Sequence, residues 1–145
     1  MILISACLCG ENCKYDGTNN LNETLKKLYD QGKAVLICPE VLGGLSTPRT
    51  PSEIQPDGRV VMRDGTDVTE NFKKGADISL EIAKKIKPNL IILKAKSPSC
   101  AVGKIYDGSF SKTLIDGNGI TAELLIKNGY KVITENDNIT KYLGE

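Results

Sequence analysis

The sequence contains no histidine, and this absence restricts the chemistry that the protein can perform. Cysteine–histidine nucleophile pairs, serine–histidine–aspartate triads and histidine-ligated zinc are all excluded. Any general acid or base must therefore be a carboxylate, a lysine, a cysteine or a tyrosine. The glycines form neither a G-x-G-x-x-G pattern nor a P-loop, so the sequence indicates no nucleotide cofactor.

Long apolar runs and a surplus of charge are also missing. No apolar run approaches the roughly 20 residues that a membrane-spanning helix needs. The first five residues lack the basic start and the long apolar core of a signal peptide, so we expect a cytoplasmic protein. The formal net charge is +1, which gives no electrostatic reason to expect stable binding to nucleic acid or to a membrane.

The apolar runs that are present predict an α/β fold. A chain of 145 residues is expected to form one domain, residues 1–145. Strands are predicted at 2–6, 34–37, 90–93 and 131–134, and helices at 21–31, 69–86, 119–128 and 137–143. This alternation indicates a small Rossmann-like three-layer sandwich with a mainly parallel four-stranded sheet. A long irregular insert, holding one short strand at 59–62, follows strand two, and residues 101–117 are predicted to be a long ordered loop.

The start of that insert, residues 38–51, carries unusual conformational constraints. Cys38-Pro39-Glu40 is followed by Gly43-Gly44, and Arg49 lies between two prolines. Prolines lack an amide hydrogen and restrict the preceding residue, whereas glycines adopt backbone angles that are closed to other residues. We therefore expect this segment to position side chains rather than to form one regular element.

Three of the five cysteines follow predicted strands. Cys7 comes after the first strand, Cys38 after the second, and Cys100 after the third by a short loop. Ligands of parallel α/β sheets bind outside the carboxyl ends of the strands, so we expect these three thiols to converge at one edge. The alternative is that they are buried structural thiols, because cysteine is among the most buried residue types.

Three converging thiols favour an iron–sulfur cluster over structural zinc. Zinc usually requires a fourth cysteine or histidine and a C-x2-C pair, which this chain lacks. Three thiolates suit a [4Fe–4S] cluster with one open iron, which can bind sulfur or act as a Lewis acid. Cys9 and Cys13 form a C-x-C-x3-C group with Cys7, which could bind metal alone in a non-catalytic or redox-sensing module. Alternatively, Cys9 and Cys13 are spare thiols near the site. A third interpretation of the whole protein is a thiol-based sulfur carrier or oxidoreductase without a metal.

Glu40 is the candidate acid or base of this site. It lies two residues from Cys38, so a carboxylate should enter the same crevice. The alternative is an exposed acid, or one paired with Arg49 or Lys96. The sequence therefore predicts that Glu40 is an acid–base group if it lies in the crevice, and an ordinary surface or ion-paired carboxylate if it does not.

Further polar residues are candidates for binding a substrate. Ser97 and Ser99 flank Pro98, which imposes an extended or turn geometry, and both hydroxyls could face a ligand or simply belong to the turn. Arg49 and Lys96 could hold an anionic or carbonyl group, although charged loop residues are more often solvated.

Three blocks of sequence together resemble the thiouracil desulfidase family. The first is Ser5-Ala6-Cys7-Leu8-Cys9-Gly10 with Lys14-Tyr15-Asp16-Gly17, the second runs from Cys38-Pro39-Glu40 to Pro48-Arg49-Thr50-Pro51, and the third is Lys96-Ser97-Pro98-Ser99-Cys100. The resemblance covers nearly the whole chain. It implies a [4Fe–4S] cluster held by Cys7, Cys38 and Cys100, whose fourth iron takes the sulfur of a thiolated pyrimidine such as 2-thiouracil.

The same resemblance implies a reaction and residue roles. Water replaces the sulfur, which gives the oxo base and hydrogen sulfide without net redox. Glu40 matches a carboxylate that relays protons, and Ser97 matches a serine beside the substrate, a small thiolated nucleobase. The family pattern usually has aliphatic residues at the positions of Cys9 and Cys13, which leaves open an altered cluster or a redox-protective thiol pair.

Overall fold

The computed structural model describes residues 1–143 of the chain. Its strands are β1 (Ile2–Ser5), β2 (Ala34–Ile37), β3 (Ser52–Ile54), β4 (Val60–Met62), β5 (Leu90–Leu93), β6 (Lys104–Tyr106), β7 (Leu114–Asp116) and β8 (Val132–Thr134). Its helices are α1 (Glu23–Asp30), α2 (Pro39–Leu42), α3 (Thr69–Ile86), α4 (Ile120–Lys127) and α5 (Ile139–Tyr142), and a 3-10 helix covers Ala6–Cys9. Within residues 1–143, none of the helices combines the length and the apolarity that crossing a membrane requires.

Four strands form the central sheet in the order β2-β1-β5-β8, and every neighbouring pair is parallel. The predicted α/β fold with a parallel four-stranded sheet is therefore confirmed. The register pairs Ser5 with Ile37 and Leu93 with Thr134, at the last residues of their strands. Because the strands run the same way, these ends meet at one edge, where the following loops must begin.

Both faces of the sheet are covered, since successive side chains of a strand point to opposite sides. One face packs against α1 and α5, and the other against α3 and α4. The first apolar cluster includes Ile2, Ile4, Ile92, Leu25 and Ile139; the second includes Leu3, Ile91, Leu93, Ala83 and Leu125. All four residues of β1 and of β5 are buried, which explains why these runs show no alternation of polar and apolar residues.

The insert after β2 contains more regular structure than predicted. Helix α2 begins at Pro39, directly after Cys38, and proline at a first helical position sacrifices no hydrogen bond. Strands β3 and β4 pair in an antiparallel hairpin, which is closed by a hydrogen bond of 2.7 Å from the Gln55 amide to the Arg59 carbonyl. The irregular part is thus shorter and leads from α2 to β3.

The prediction of a loop over residues 101–117 was wrong, because β6 and β7 form an antiparallel hairpin there. All three side chains of β7 are exposed, so the strand lacks the alternating burial that identifies strands in a sequence. Side-chain hydrogen bonds order the turn instead, including one of 2.9 Å from the Ser109 amide to the Asp107 carboxylate. A carboxylate of Glu53 also accepts the amides of Gly108 and Phe110, at 3.0 and 3.1 Å.

Helices α2 and α3 touch through their backbones at two glycines. A β-carbon at Gly75 would overlap the carbonyl group of Pro39, and one at Gly43 would overlap the carbonyl group of Asn71. The side-chain amide of Asn71 also donates to the Gly43 carbonyl at 2.9 Å. Gly75 is unfavourable inside a helix, but it permits this approach and so places α2, with Glu40, against a long helix.

Replacing Gly75 with alanine is expected to lower the free energy of unfolding by about 1–3 kcal/mol, because the new methyl group meets backbone atoms that cannot turn away. Denaturant titration measures this change. Lys74→Ala, at an exposed neighbouring position of α3, is the control and should change stability by less than about 0.5 kcal/mol. Equal or greater stability of Gly75→Ala would contradict the backbone contact, since alanine is the better helix former.

Candidate functional site

The strand ends bring Cys7, Cys38 and Cys100 to one edge of the sheet. Cys7 lies in the 3-10 helix that follows β1, Cys38 joins β2 to α2, and Cys100 lies in the turn after β5. After burial, the negative charges of Glu40, Cys38 and Cys7 are the further causes that raise the pKa of Cys100. Glu40, Cys38 and Cys7 therefore lie near enough to Cys100 for their charges to act on its thiol.

Cys100 is the innermost thiol of this centre. Its residue is 5% exposed, and burial raises the pKa of its thiol to about 12. The Ser5 hydroxyl donates to the sulfur at 3.6 Å and accepts the amide of Lys94 at 3.0 Å. Ser5 thus joins the ends of β1 and β5 at the site, a role that the sequence analysis missed. A thiolate at Cys100 would require a nearby cation.

Cys7 has a thiol that loses its proton more readily than an ordinary cysteine. A hydrogen bond from the Cys13 thiol is the main cause that lowers the pKa of Cys7 to about 7. The Asn20 amide, which donates at 3.5 Å, and the positive charge of Lys94 add to this effect. The Lys94 ammonium also lies 3.1 Å from the carboxylate of Glu135. Asn20 and Lys94 were not identified from the sequence.

Cys13 lies between two of the predicted ligands. Its thiol contacts those of Cys38 and Cys7, and these contacts, with burial, raise the pKa of Cys13 so that it keeps its proton. Side-chain hydrogen bonding with Cys13 is also the main cause that lowers the pKa of Cys38, whose thiol donates to the Cys13 carbonyl at 3.9 Å. The C-x-C-x3-C spacing drew attention to Cys13 but did not indicate its contact with Cys38.

Cys9 has a different environment. It is 4% exposed and packs in the apolar cluster with Leu8 and Leu25, and burial raises the pKa of its thiol to about 11. In the part of the chain that the structure describes, no three cysteine, aspartate or glutamate side chains are close enough to hold one metal ion. Within residues 1–143 this holds for Cys7, Cys9 and Cys13 and equally for Cys7, Cys38 and Cys100, so what distinguishes Cys9 is its packing in the apolar core.

Arg49 is buried and organises the wall of the site. Its side chain is 4% exposed, and Nη2 lies 3.6 Å from the Glu40 carboxylate while donating to the Cys13 carbonyl at 2.9 Å. Nη1 donates to the Ser46 carbonyl and the Thr47 hydroxyl, at 3.1 and 3.0 Å. Among residues 1–143, its Nε atom is buried without a hydrogen-bond partner. Arg49 thus holds protein groups in place and keeps one buried donor available.

Glu40 faces the cysteines from the first turn of α2. Its side chain is 19% exposed, and burial raises the pKa of its carboxyl group. The positive charge of Arg49 opposes this shift without cancelling it. The pairing with Arg49 that the sequence offered as the alternative is present, and the acid–base role of Glu40 stays a prediction. A raised pKa makes the group better suited to exchange protons near neutrality.

The remaining predicted residues have different positions. The Ser97 hydroxyl oxygen accepts the amides of Ser99 and Cys100, both at 3.1 Å, and so shapes the turn that carries Cys100. Ser99 is buried, and its hydroxyl lies 2.7 Å from that of Thr121. Lys96 is exposed at a left-handed φ of 67°. Ser97 is thus beside the site with its hydroxyl hydrogen still able to donate, and the substrate-binding roles of Ser99 and Lys96 stay predictions.

An open groove of about 480 Å³ lies along the edge strand β2 and reaches two of the cysteines, Cys13 and Cys38. Cys13 and Cys38 lie in its wall with Glu11, Tyr29 and Val41. Its volume falls within the range of small-molecule sites, on the order of 300–1,000 Å³. A small planar molecule could therefore reach Cys13 and Cys38 from solvent.

Fold and site together define a parallel α/β protein with a cysteine-lined centre at the carboxyl edge of its sheet. The family model described as 2-thiouracil desulfurase matches residues 2–137. The chain belongs to this family, which confirms the resemblance found in the sequence.

Two known proteins are similar to this chain. The uncharacterized protein YbbK of Bacillus subtilis (strain 168) is 47% identical over 146 residues, which cover 94% of this chain and 97% of YbbK. A solved structure of the [4Fe-4S]-dependent thiouracil desulfidase TudS (DUF523Vcz) superposes with a TM-score of 0.91 and 39% identity. That match covers 99% of this chain and 95% of the other.

Proposed function

We propose that the protein is a [4Fe–4S]-dependent desulfidase that removes sulfur from a thiolated pyrimidine such as 2-thiouracil. The observation that carries this proposal is that Cys7, Cys38 and Cys100 follow three parallel strands at one edge of the sheet, with Glu40 two residues after Cys38. The family and the TudS neighbour support a desulfidase role. We further propose that the products are the oxo base and hydrogen sulfide, without net redox.

The side chains fit a four-iron cluster better than a single ion. Each protein ligand of a cluster binds a different iron, so its sulfurs stand farther apart than those around zinc. The donor set fits such a cluster, because the three residues in question are all cysteines at one edge of the sheet and the sequence contains no histidine. Cys7 and Cys38 have lowered pKa values and readily supply thiolates, whereas Cys100 would lose its proton to the charge of iron.

In this proposal Cys7, Cys38 and Cys100 hold the cluster. When bound, the cluster supplies an iron without a protein ligand, which acts as a Lewis acid toward sulfur. Glu40 and Ser97 act beside it: the raised pKa of Glu40 lets its carboxylate take a proton from the attacking water and return it to the leaving sulfur. The Ser97 hydroxyl, whose oxygen already accepts two amides, donates its hydrogen to the substrate.

The proposed reaction balances without an oxidant or a reductant. The oxygen of water forms a bond to the carbon that carried the sulfur, and the carbon–sulfur bond breaks. Both protons of the water leave with the sulfur as hydrogen sulfide. Arg49 keeps the Glu40 carboxylate in place at 3.6 Å, so the proton is exchanged at one defined position.

Protein prepared without oxygen is expected to contain about four irons per chain and to release uracil and hydrogen sulfide in equal amounts from 2-thiouracil. Iron analysis, sulfide analysis and chromatography of the base measure this. Removing the metal with a chelator should abolish sulfide release, and rebuilding the cluster should restore it. A protein that stays colourless and free of iron after reconstitution would contradict the proposal. A panel of thiolated bases and nucleosides then defines the substrate.

A further inference from the structure

The loop that carries Cys13 is fixed to the wall of the site. The Cys13 amide donates to the Glu11 carbonyl at 2.9 Å, and the Cys13 carbonyl accepts Arg49 Nη2 at the same distance. The Arg49 amide donates to the carbonyl of Tyr15 at 2.6 Å. Because the same guanidinium pairs with Glu40, the thiol of Cys13 is held in a defined place relative to the proposed acid–base group.

The position of this thiol is not explained by a cluster with three cysteine ligands. The Cys38 thiol donates to the Cys13 carbonyl at 3.9 Å, and Cys13 lies beside Cys38 in the wall of the open groove. Cys100 is on the buried side of the same centre. Three ligands leave one iron without a protein donor, and Cys13 adds a fourth soft donor on the side from which a substrate would arrive.

We propose that Cys13 is an exchangeable fourth ligand of the cluster, which binds the open iron until the sulfur of a substrate displaces it. This inference rests on the proposed function. Binding to iron releases the thiol proton of Cys13 to solvent, and displacement by the substrate returns a proton to the sulfur. The exchange changes no oxidation state and requires no further reactant.

Such a ligand would protect the cluster between turnovers. An iron that faces an open groove without a protein donor is the one most easily lost or bound by other small thiols. A thiol on a short anchored loop competes with these molecules at a high effective concentration. A substrate thiocarbonyl must then displace Cys13, so the Cys13→Ala variant should bind substrate more tightly but lose iron more easily.

Alkylation of the cysteines tests the exchange directly. Substrate-free protein loaded with the cluster is treated with iodoacetamide without oxygen, and modification of each cysteine is followed by peptide mass spectrometry. Cys13 is expected to react at least about tenfold more slowly than in cluster-free protein, because a metal-bound thiolate is shielded. Adding 2-thiouracil to the slow Glu40→Gln variant should restore rapid alkylation of Cys13 while Cys7, Cys38 and Cys100 stay protected.

Electron paramagnetic resonance supplies a second readout that does not depend on activity. Brief oxidation with ferricyanide should remove about one of four irons from Cys13→Ala and produce a three-iron signal, whereas the wild-type cluster should stay intact. Cys9→Ala is the matched control, because Cys9 packs in the apolar core, and it should behave as wild type.

Two results separate this inference from the proposed function. A four-iron cluster combined with rapid alkylation of Cys13 in the absence of substrate would overturn the fourth-ligand role alone. Identical resonance spectra of Cys13→Ala and wild type after oxidation would do the same. A wild-type protein that takes up no cluster would overturn both proposals.

Discussion

Replacing Glu40 with glutamine is expected to slow the release of sulfide from 2-thiouracil by about 100- to 10,000-fold while the cluster is retained. Glutamine has nearly the same shape, but it cannot take a proton from water and return it to sulfur. The cysteines are unchanged, so iron content and the absorption of the cluster should match those of wild type. Rates of sulfide release at saturating substrate, normalised to iron, measure the effect.

The control for this variant is Glu11→Gln, an exposed carboxylate that lines the same groove. It removes the same charge near the entrance, and its activity should stay within a factor of about two. If Glu11→Gln slowed the reaction as strongly, the charge of the groove rather than proton exchange at Glu40 would be responsible. A loss of less than about tenfold in Glu40→Gln would contradict the proposed role.

Replacing Cys100 with serine is expected to abolish the cluster, reducing iron from about four per chain to nearly none. Cys100 gives the clearest test among the three ligands, because Cys13 contacts Cys7 and Cys38 and could replace either of them. Serine is close to cysteine in size, so the packing around this buried position should change little. Iron and sulfide analysis after anaerobic reconstitution give the result, and circular dichroism reports whether the variant folds.

Cys9→Ser is the matched control for this experiment. Both residues are buried free cysteines, with exposed fractions of 4% for Cys9 and 5% for Cys100, and each variant exchanges one sulfur for one oxygen. We expect Cys9→Ser to retain the cluster. The opposite pair of results, metal lost in Cys9→Ser and kept in Cys100→Ser, would favour the non-catalytic module of Cys7, Cys9 and Cys13.

Much of the fold could be predicted because the apolar runs are short and separated by clear helix patterns. Strands β1, β2, β5 and β8 and the three longer helices lie within a few residues of their predicted positions. The hairpin of β6 and β7 could not be predicted, because its stability comes from turn hydrogen bonds and from Glu53, which is distant in sequence. The role of Gly75 was not predictable either, because its contact with Pro39 joins two helices that are separate in sequence.

The candidate site was predictable to the extent that it follows from strand ends. Cys7, Cys38 and Cys100 meet because parallel strands end at one edge, and no side-chain detail is needed for that inference. The hydrogen bonds that lower the pKa values of these thiols were not predictable. Asn20 donates to Cys7 and Ser5 donates to Cys100, and both contacts depend on how separate segments of the chain fold together. Cys13 was noticed, yet its position between Cys7 and Cys38 required the structure.

The register of the central sheet has a consequence for how the protein can be assembled. The proposed ligands follow β1, β2 and β5, whose pairing joins parts of the chain that are far apart in sequence. No single element contains all of these residues, so the proposed cluster could be received only after the strands have paired. Once bound, it would join three chain segments as a cross-link does, and would restrict the unfolded chain more than a link between neighbours. The cluster would thus link the carboxyl ends of neighbouring strands, which no short loop connects directly.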